Sequence, residues 1–143
     1  MSRGKKAYLQ YERELSDTIA RLAQLREEMK AAIDSDAESF NVVMKAYKQA
    51  KQSANADSVI DAALKQAISV PLGVAESGCE IAAIVEKLKP ITNPNMKSDL
   101  ATASALAHAA IEGAMANVEV NLESMKDAAF AADVRKRAAA LRR

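Results

Sequence analysis

The sequence predicts an all-α protein, a bundle of long antiparallel helices that pairs with a second copy of itself. Half of its 143 residues are hydrophobic, but only two phenylalanines and three tyrosines are aromatic, so the core must consist mainly of small and aliphatic side chains. Apolar residues recur at alternating spacings of three and four, which is the helical period. β-branched and polar residues never alternate over a useful length, so strands are not expected.

The first helix is predicted to run from residue 8 to about residue 33. Its seam positions recur with nearly coiled-coil regularity, with charged residues between them: Tyr8, Tyr11, Leu15, Thr18, Leu22, Leu25, Met29 and Ala32. This seam has more apolar surface than one short chain covers easily. A partner helix, and therefore a dimer, is expected.

A second helix is predicted to open at residues 35–38, because Ser35 followed three residues later by Glu38 is the capping-box pattern. It would run to about Lys51 and present an apolar face of Phe40, Val43, Met44 and Tyr47. The polar residues 52–57 would form a loop to the next helix.

The third helix is predicted from about Ser58 to Leu88, and Pro71 should kink or split it because proline has no N–H to bond the preceding turn. A fourth helix should run from Leu100 to about Lys126. Ser98 is its predicted N-cap. A short basic segment that carries Phe130, Val134 and Leu141 would close the chain.

Residues 93–99 resemble a ligand-binding site more than any other segment does, because a polar, turn-forming loop leads directly into the fourth helix. Asn93-Pro94 favours a turn, and Asp99 would lie in the first helical turn. Backbone N–H groups there have no partner within the helix and can hold a polar ligand. The alternative is that Ser98 and Asp99 only cap a helix.

A polar stripe follows the fourth helix. Asn117 lies on the same helical line as Asp99, and Asn121 lies within about 40° of it. Asp99 and Asn117 are roughly 27 Å apart along the helix, so they would line an elongated groove or serve sites shared between subunits. The alternative is that Asn117 and Asn121 make hydrogen bonds between packed helices.

On the second predicted helix, Lys45 and Lys48 lie beside Phe40 and Tyr47. Positive charge next to aromatic surface is what a carboxylated aromatic ligand requires. The alternative is an ordinary solvated helix face.

Charge and composition exclude several classes of function. A net charge of +1 and a pI near 7.8 indicate neither a nucleic-acid nor a membrane partner. Cys79 and His108 are the only cysteine and histidine, so no zinc site of a usual kind is expected. The start does not resemble a signal peptide and no apolar run of transmembrane length is apparent, so a cytoplasmic location is expected.

Four segments, in order and at matching spacings, resemble the cyclodeaminase/cyclohydrolase family. They are DAESFNVVMKAYK at 36–48, VPLGVA at 70–75, NPN at 93–95 with Ser98-Asp99, and GAMANVEVNL at 113–122. This family includes the cyclodeaminase domain of formiminotransferase-cyclodeaminase and stand-alone methenyltetrahydrofolate cyclohydrolases. The resemblance covers nearly the whole chain, from about Gly4 to the C-terminal segment.

The resemblance implies a helical homodimer that acts on the one-carbon bridge between N5 and N10 of tetrahydrofolate. Formimino- or methenyltetrahydrofolate would be the substrate, with no metal or redox cofactor. Asp99 and Asp36 are the expected proton-transferring carboxylates. The expected substrate-binding residues are Asn93, Asn95, Ser98, Lys45, Lys48, Asn117 and Asn121.

Family members normally begin with a glycine-rich Gly-Gly-Ser segment that has no counterpart before Gly4. Residues 1–143 are therefore expected to form one cyclodeaminase/cyclohydrolase-like domain that lacks this segment and turns over substrate poorly without it. The alternative function is a non-catalytic helical module that kept the dimer-forming helices. Binding of a tetrahydrofolate analogue would discriminate between the two.

Overall fold

A computed structural model describes residues 2–141 and contains four α-helices. They are α1 (Glu12–Ala50), α2 (Ala56–Leu88), α3 (Lys97–Glu123) and α4 (Ala128–Leu141). Short 3₁₀ turns, Lys6–Tyr11 and Pro94–Met96, precede α1 and α3. No strand occurs among residues 2–141, so the predicted all-α class is confirmed.

The helix α1 is one continuous helix of 39 residues where the sequence predicted two. The predicted break at residues 35–38 is wrong. The side chain of Ser39 is buried and donates a hydrogen bond to the carbonyl of Asp36, 2.8 Å away, inside an unbroken helix. The buried face continues from Leu25 through Ser39 to Ala46 without a change of direction, so packing against α2 overrides the local capping pattern.

Pro71 does not split α2, which is helical through the proline. A proline at this position removes the hydrogen bond that its N–H would give to the carbonyl of Ala67. The side-chain N–H₂ of Asn121 on α3 lies 3.5 Å from that carbonyl, which is long for a hydrogen bond, and it has two closer acceptors on Asn117 at 3.0 and 3.1 Å. The amide on the neighbouring helix therefore gives this carbonyl only a long contact, and the burial of Leu64, Ile68 and Leu72 on both sides of this turn keeps α2 helical.

The helix α2 contacts both α1 and α3, and short loops connect it to them. Each of the three helices therefore runs antiparallel to the one before it. Leu64, Ile68 and Leu72 of α2 pack with Val118 and Leu122 of α3 in the main core cluster. The C-terminal helix α4 adds Ala131 and Val134 to the same cluster.

By length and composition alone, α2 could cross a membrane, because an 18-residue window within it has a mean hydropathy of 1.5. The expectation that no segment is long and apolar enough is therefore corrected. In this fold the apolar side chains of α2 have a packing role, since Leu64, Ile68 and Leu72 are almost fully buried against α3 and α4.

Ion pairs attach α1 and α4 to α2. Arg21 of α1 makes two hydrogen bonds to the Glu80 carboxylate, at 2.6 and 2.7 Å, and these lower the pKa of Glu80. At the start of α4, the Asp127 carboxylate is paired with Lys65 at 2.6 Å, which lowers the pKa of Asp127. These groups are largely exposed, so the pairs orient the helices more than they stabilise them.

The start of α3 differs from its prediction. The helix begins at Lys97, so Ser98 lies inside the first turn and the prediction that it is the N-cap is wrong. Asp99 does lie in the first turn, as predicted. The side-chain oxygen of Asn93 accepts a hydrogen bond from the backbone N–H of Asn95 at 3.0 Å and so caps the preceding 3₁₀ turn.

At Gly78, α2 packs closely against α3. A methyl group added there would lie 2.7 Å from Cγ1 of Ile111, which is too close without repacking. We therefore expect Gly78→Ala to lower the free energy of unfolding by about 1 kcal/mol or more. Gly73→Ala on the same helix, where a methyl group meets nothing within 4 Å, is the control and should raise it by about 0.5–1 kcal/mol.

Denaturant unfolding at one fixed protein concentration measures both variants. Equal stabilisation by Gly73→Ala and Gly78→Ala would contradict the close contact between α2 and α3.

Candidate functional site

A groove between α1 and α3, with α2 as its floor, holds three of the predicted site residues, Asp36, Asn117 and Asn121. It consists of two adjoining clefts of about 390 and 300 Å³. Asp36 of α1 and Asn117 of α3 line both clefts, so the two form one continuous site, which we call the α1–α3 groove. Its floor includes Val70, Pro71 and Val74.

The walls of the α1–α3 groove are largely apolar. Phe40 and Tyr47 line it from α1 and Val120 lines it from α3. Phe40 and Val120 are 62% and 64% exposed and line the same cleft, so they give it an open apolar surface. The arrangement is typical of a ligand site, in which apolar walls surround a few polar groups.

The amide pair at the α3 side of the groove has a fixed orientation. The Asn121 side-chain N–H₂ donates to Oδ1 of Asn117 at 3.0 Å and to the Asn117 backbone carbonyl at 3.1 Å. Its own Oδ1 and the N–H₂ of Asn117 have no hydrogen-bond partner among residues 2–141. The oxygen of Asn121 and the two N–H groups of Asn117 therefore remain for a ligand.

The carboxylate of Asp36 is exposed at the opposite wall of the groove and forms no ion pair among the described residues. An unpaired carboxylate beside apolar walls can accept a proton from a substrate or return one to it. The α1–α3 groove thus combines an acid–base group, hydrogen-bonding amides and aromatic surface.

The other predicted site residues lie elsewhere. Asp99, Asn95 and Ser98 are exposed at the start of α3 and line neither part of the groove. Asp99 and Asn117 are 18 residues apart, which is about 27 Å along a helix. Within one chain, the structure therefore keeps Asp99 away from Asp36.

Asn93 lines a different cleft of about 800 Å³ at the turn between α2 and α3. Lys45 and Lys48 are exposed on α1 and line neither this cleft nor the groove. Of the nine predicted site residues, the structure brings together Asp36, Asn117 and Asn121.

Sequence reasoning did not include Phe40, Tyr47 or Val120 among the site residues. A signal was available for the two aromatics, because they share a helical face with Asp36, and the sequence analysis noted them only as an apolar face and as aromatic surface beside Lys45 and Lys48. No sequence signal indicates that Val120 faces the groove. Among residues 2–141, no group of three or more His, Cys, Asp or Glu side chains is arranged to hold a metal ion.

Comparison with known proteins gives a consistent result. The family profile described as formiminotransferase-cyclodeaminase matches residues 1–140. Methenyltetrahydrofolate cyclohydrolase of Methylorubrum extorquens is 33% identical over 132 residues, which cover 90% of this chain and 64% of that protein. Formimidoyltransferase-cyclodeaminase of Sus scrofa is 32% identical over 113 residues, which cover 76% of this chain and 21% of that protein.

The fold has a solved counterpart as well. The crystal structure of formiminotetrahydrofolate cyclodeaminase from Thermotoga maritima superposes with a TM-score of 0.91 at 29% identity. The match covers 99% of this chain and 68% of that one. The chain therefore spans about two thirds of the length of the solved structure, 64% of the bacterial cyclohydrolase and about a fifth of the pig protein.

Proposed function

The chain belongs to the formiminotransferase-cyclodeaminase family, and we propose that it acts on a tetrahydrofolate derivative carrying a one-carbon unit. The resemblance seen in its sequence motifs is confirmed by the family match over residues 1–140. Two reactions fit the names of its relatives. One is release of ammonia from formiminotetrahydrofolate, and the other is hydrolysis of methenyltetrahydrofolate to the 10-formyl form.

The observation that supports this proposal most directly is the α1–α3 groove, where the carboxylate of Asp36 lies opposite the amides of Asn117 and Asn121. A flat pterin ring would lie against Phe40 and Tyr47, because aromatic faces stack on one another. The free Asn121 oxygen and Asn117 N–H₂ would fix the ring by directional hydrogen bonds.

Both reactions pass through a tetrahedral carbon and move protons. In the deaminase reaction N10 attacks the formimino carbon, N10 loses a proton, and ammonia leaves with a proton gained. In the hydrolase reaction water adds to the methenyl carbon, loses a proton, and the bond from that carbon to N5 breaks. A positioned carboxylate such as Asp36 can accept the first proton and return it to the departing nitrogen. This chemistry calls for no metal or redox cofactor.

A homodimer is part of the proposal. Ile33, Phe40 and Met44 of α1 are 71%, 62% and 44% exposed and extend along one face of that helix. These side chains also line the α1–α3 groove, so we propose that the second copy closes the groove over the bound substrate and borders it with its own α3. Asp99, with Ser98, Asn93 and Asn95, would then contribute from the second copy, and Lys45 and Lys48 would meet the glutamate tail of the substrate. We propose no nucleic-acid or membrane partner and a cytoplasmic location.

Binding of 5-formyltetrahydrofolate, a stable analogue of the one-carbon adducts, tests this proposal. We expect heat of binding in calorimetry and a higher melting temperature. The free energy of unfolding should rise by about 2.7 kcal/mol when the free ligand is at 100 times Kd. Asn117→Leu should weaken binding, because it removes a donor from the groove. Asn41→Leu, at an exposed amide on α1 that lines neither part of the groove, is the matched control.

Absence of both heat and thermal stabilisation at millimolar ligand would overturn the proposal. It would favour the non-catalytic assembly module that the sequence left open.

A further inference from the structure

Three polar side chains are buried in the part of the chain that the structure describes, and one of them, Ser2, bonds to a distant segment. The hydroxyls of Ser39 and Thr92 donate to carbonyls three and four residues earlier in the chain. The hydroxyl of Ser2, a residue that is 5% exposed, instead accepts a hydrogen bond from the backbone N–H of Asn93 at 2.8 Å. The two residues are 91 positions apart in sequence, so this contact connects two separate segments.

The turn that carries Ser2 is fixed by Glu12, the first residue of α1. One oxygen of the Glu12 carboxylate accepts from the backbone N–H of Gly4 and the other from Nε of Arg3, both at 2.9 Å, and these contacts lower the pKa of Glu12. Gly4 has a φ of 69°, which favours glycine. The N–H of Lys5 closes the turn on the Ser2 carbonyl at 3.2 Å. The Ser2 hydroxyl therefore has a defined position relative to α1.

Asn93 uses three of its polar groups within the chain. Its N–H donates to Ser2, its carbonyl accepts from the N–H of Met96 at 2.8 Å, and its side-chain oxygen accepts from the N–H of Asn95 at 3.0 Å. The side-chain N–H₂ of Asn93 makes no hydrogen bond among residues 2–141. Because the other three groups are held, this N–H₂ has a fixed direction and remains available to a ligand.

We propose that Ser2 is a positioning residue, whose hydroxyl fixes the turn of residues 93–96 and thereby orients the Asn93 amide toward the substrate. This inference rests on the proposed function, in which Asn93 contributes to the site. The Ser2 hydroxyl also lies 3.8 Å from Sδ of Met96, the last residue of the 3₁₀ turn that Asn93 caps, so it contacts both ends of that turn. Without this hydroxyl the half-buried Asn93 N–H loses its acceptor, which favours a different arrangement of the turn.

Exchange of the Asn93 backbone amide, measured by NMR without ligand, tests the contact itself. Ser2→Ala should raise the exchange rate at least about tenfold, because the amide loses its acceptor. Ser2→Thr keeps the hydroxyl and should keep exchange slow. Ser69→Ala is the matched control, since its hydroxyl bonds within α2 to the carbonyl of Gln66 and it lines neither part of the groove. Equal exchange rates in Ser2→Ala and the unsubstituted protein would overturn the proposal.

Binding and turnover test the consequence for the substrate. Ser2→Ala should raise Kd for 5-formyltetrahydrofolate about tenfold, which corresponds to one lost hydrogen bond. It should change kcat at saturating substrate less than about twofold, because Asn93 holds the substrate and transfers no proton. A merely structural role would instead lower the amount of folded protein without raising Kd. Ser2→Thr and Ser69→Ala should bind as the unsubstituted protein does.

A double-mutant cycle shows whether Ser2 acts through the side chain of Asn93. Asn93→Ala should raise Kd at least as much as Ser2→Ala does, and the double variant should bind no more weakly than Asn93→Ala alone. Additive losses of affinity, or an unchanged Kd in Ser2→Ala, would overturn the positioning role alone. Failure of the unsubstituted protein to bind 5-formyltetrahydrofolate would overturn the proposed function, and the role of Ser2 toward substrate with it.

Discussion

Asp36→Asn is expected to lower kcat for methenyl- or formiminotetrahydrofolate by about 10²-fold or more, the usual range for losing a general acid or base. The amide keeps the shape of the carboxylate but cannot exchange a proton at neutral pH. The side chain is exposed at the wall of the α1–α3 groove, so the fold should not change. KM should change little if Asp36 acts mainly on the transition state.

Loss of methenyl absorbance measures turnover for the cyclohydrolase reaction, and ammonia release measures it for the deaminase. Circular dichroism and thermal unfolding verify the fold of the variant. Asp34→Asn is the matched control, because Asp34 is an exposed carboxylate on the same helix that lines neither part of the groove. Full turnover by Asp36→Asn would show that Asp36 does not transfer the proton, and the groove would then be a binding site without an identified acid–base group.

Mixing Asp36→Asn chains with Asp99→Asn chains is expected to restore activity that neither variant has alone. Asp99→Asn alone should also cost about 10²-fold or more in turnover if Asp99 moves a proton. Because Asp99 lies about 27 Å along α3 from Asn117, it can reach the groove only from a second copy. Each mixed dimer then has one site with both carboxylates intact.

Random pairing makes about half of the dimers mixed, so the refolded mixture should recover about a quarter of the unsubstituted activity. Co-refolding the two chains and measuring turnover at equal total protein tests this. Mixing Asp36→Asn with the double variant is the control and should recover nothing, since no site would then hold both carboxylates. If the two variants are inactive and fail to complement each other, the site is not shared between subunits. If Asp99→Asn has full activity, Asp99 has only a structural role at the start of α3.

The candidate site could be predicted in part from the sequence. Asp36, Asn117 and Asn121 were identified by their motifs and helical spacing, and they do lie in one groove. Asp99, Asn93 and the two lysines were grouped with them because the family resemblance places them in one site. Spacing along a helix indicates which residues share a face but not which residues of other helices lie opposite. The distance between Asp99 and Asp36 is therefore a property of the packing.

The sequence by itself determined the all-α class and the family, because hydrophobic periodicity and ordered motifs are local properties, but the predicted apolar face of Phe40, Met44 and Tyr47 is largely exposed. Only the tertiary structure decided whether local signals end a helix. The capping pattern at 35–38 lies within α1 because its buried face continues along α2, and α2 continues through Pro71 because Leu64, Ile68 and Leu72 pack against α3 and α4. In both cases a contact from another helix outweighs a preference of about 1–3 kcal/mol in the chain itself.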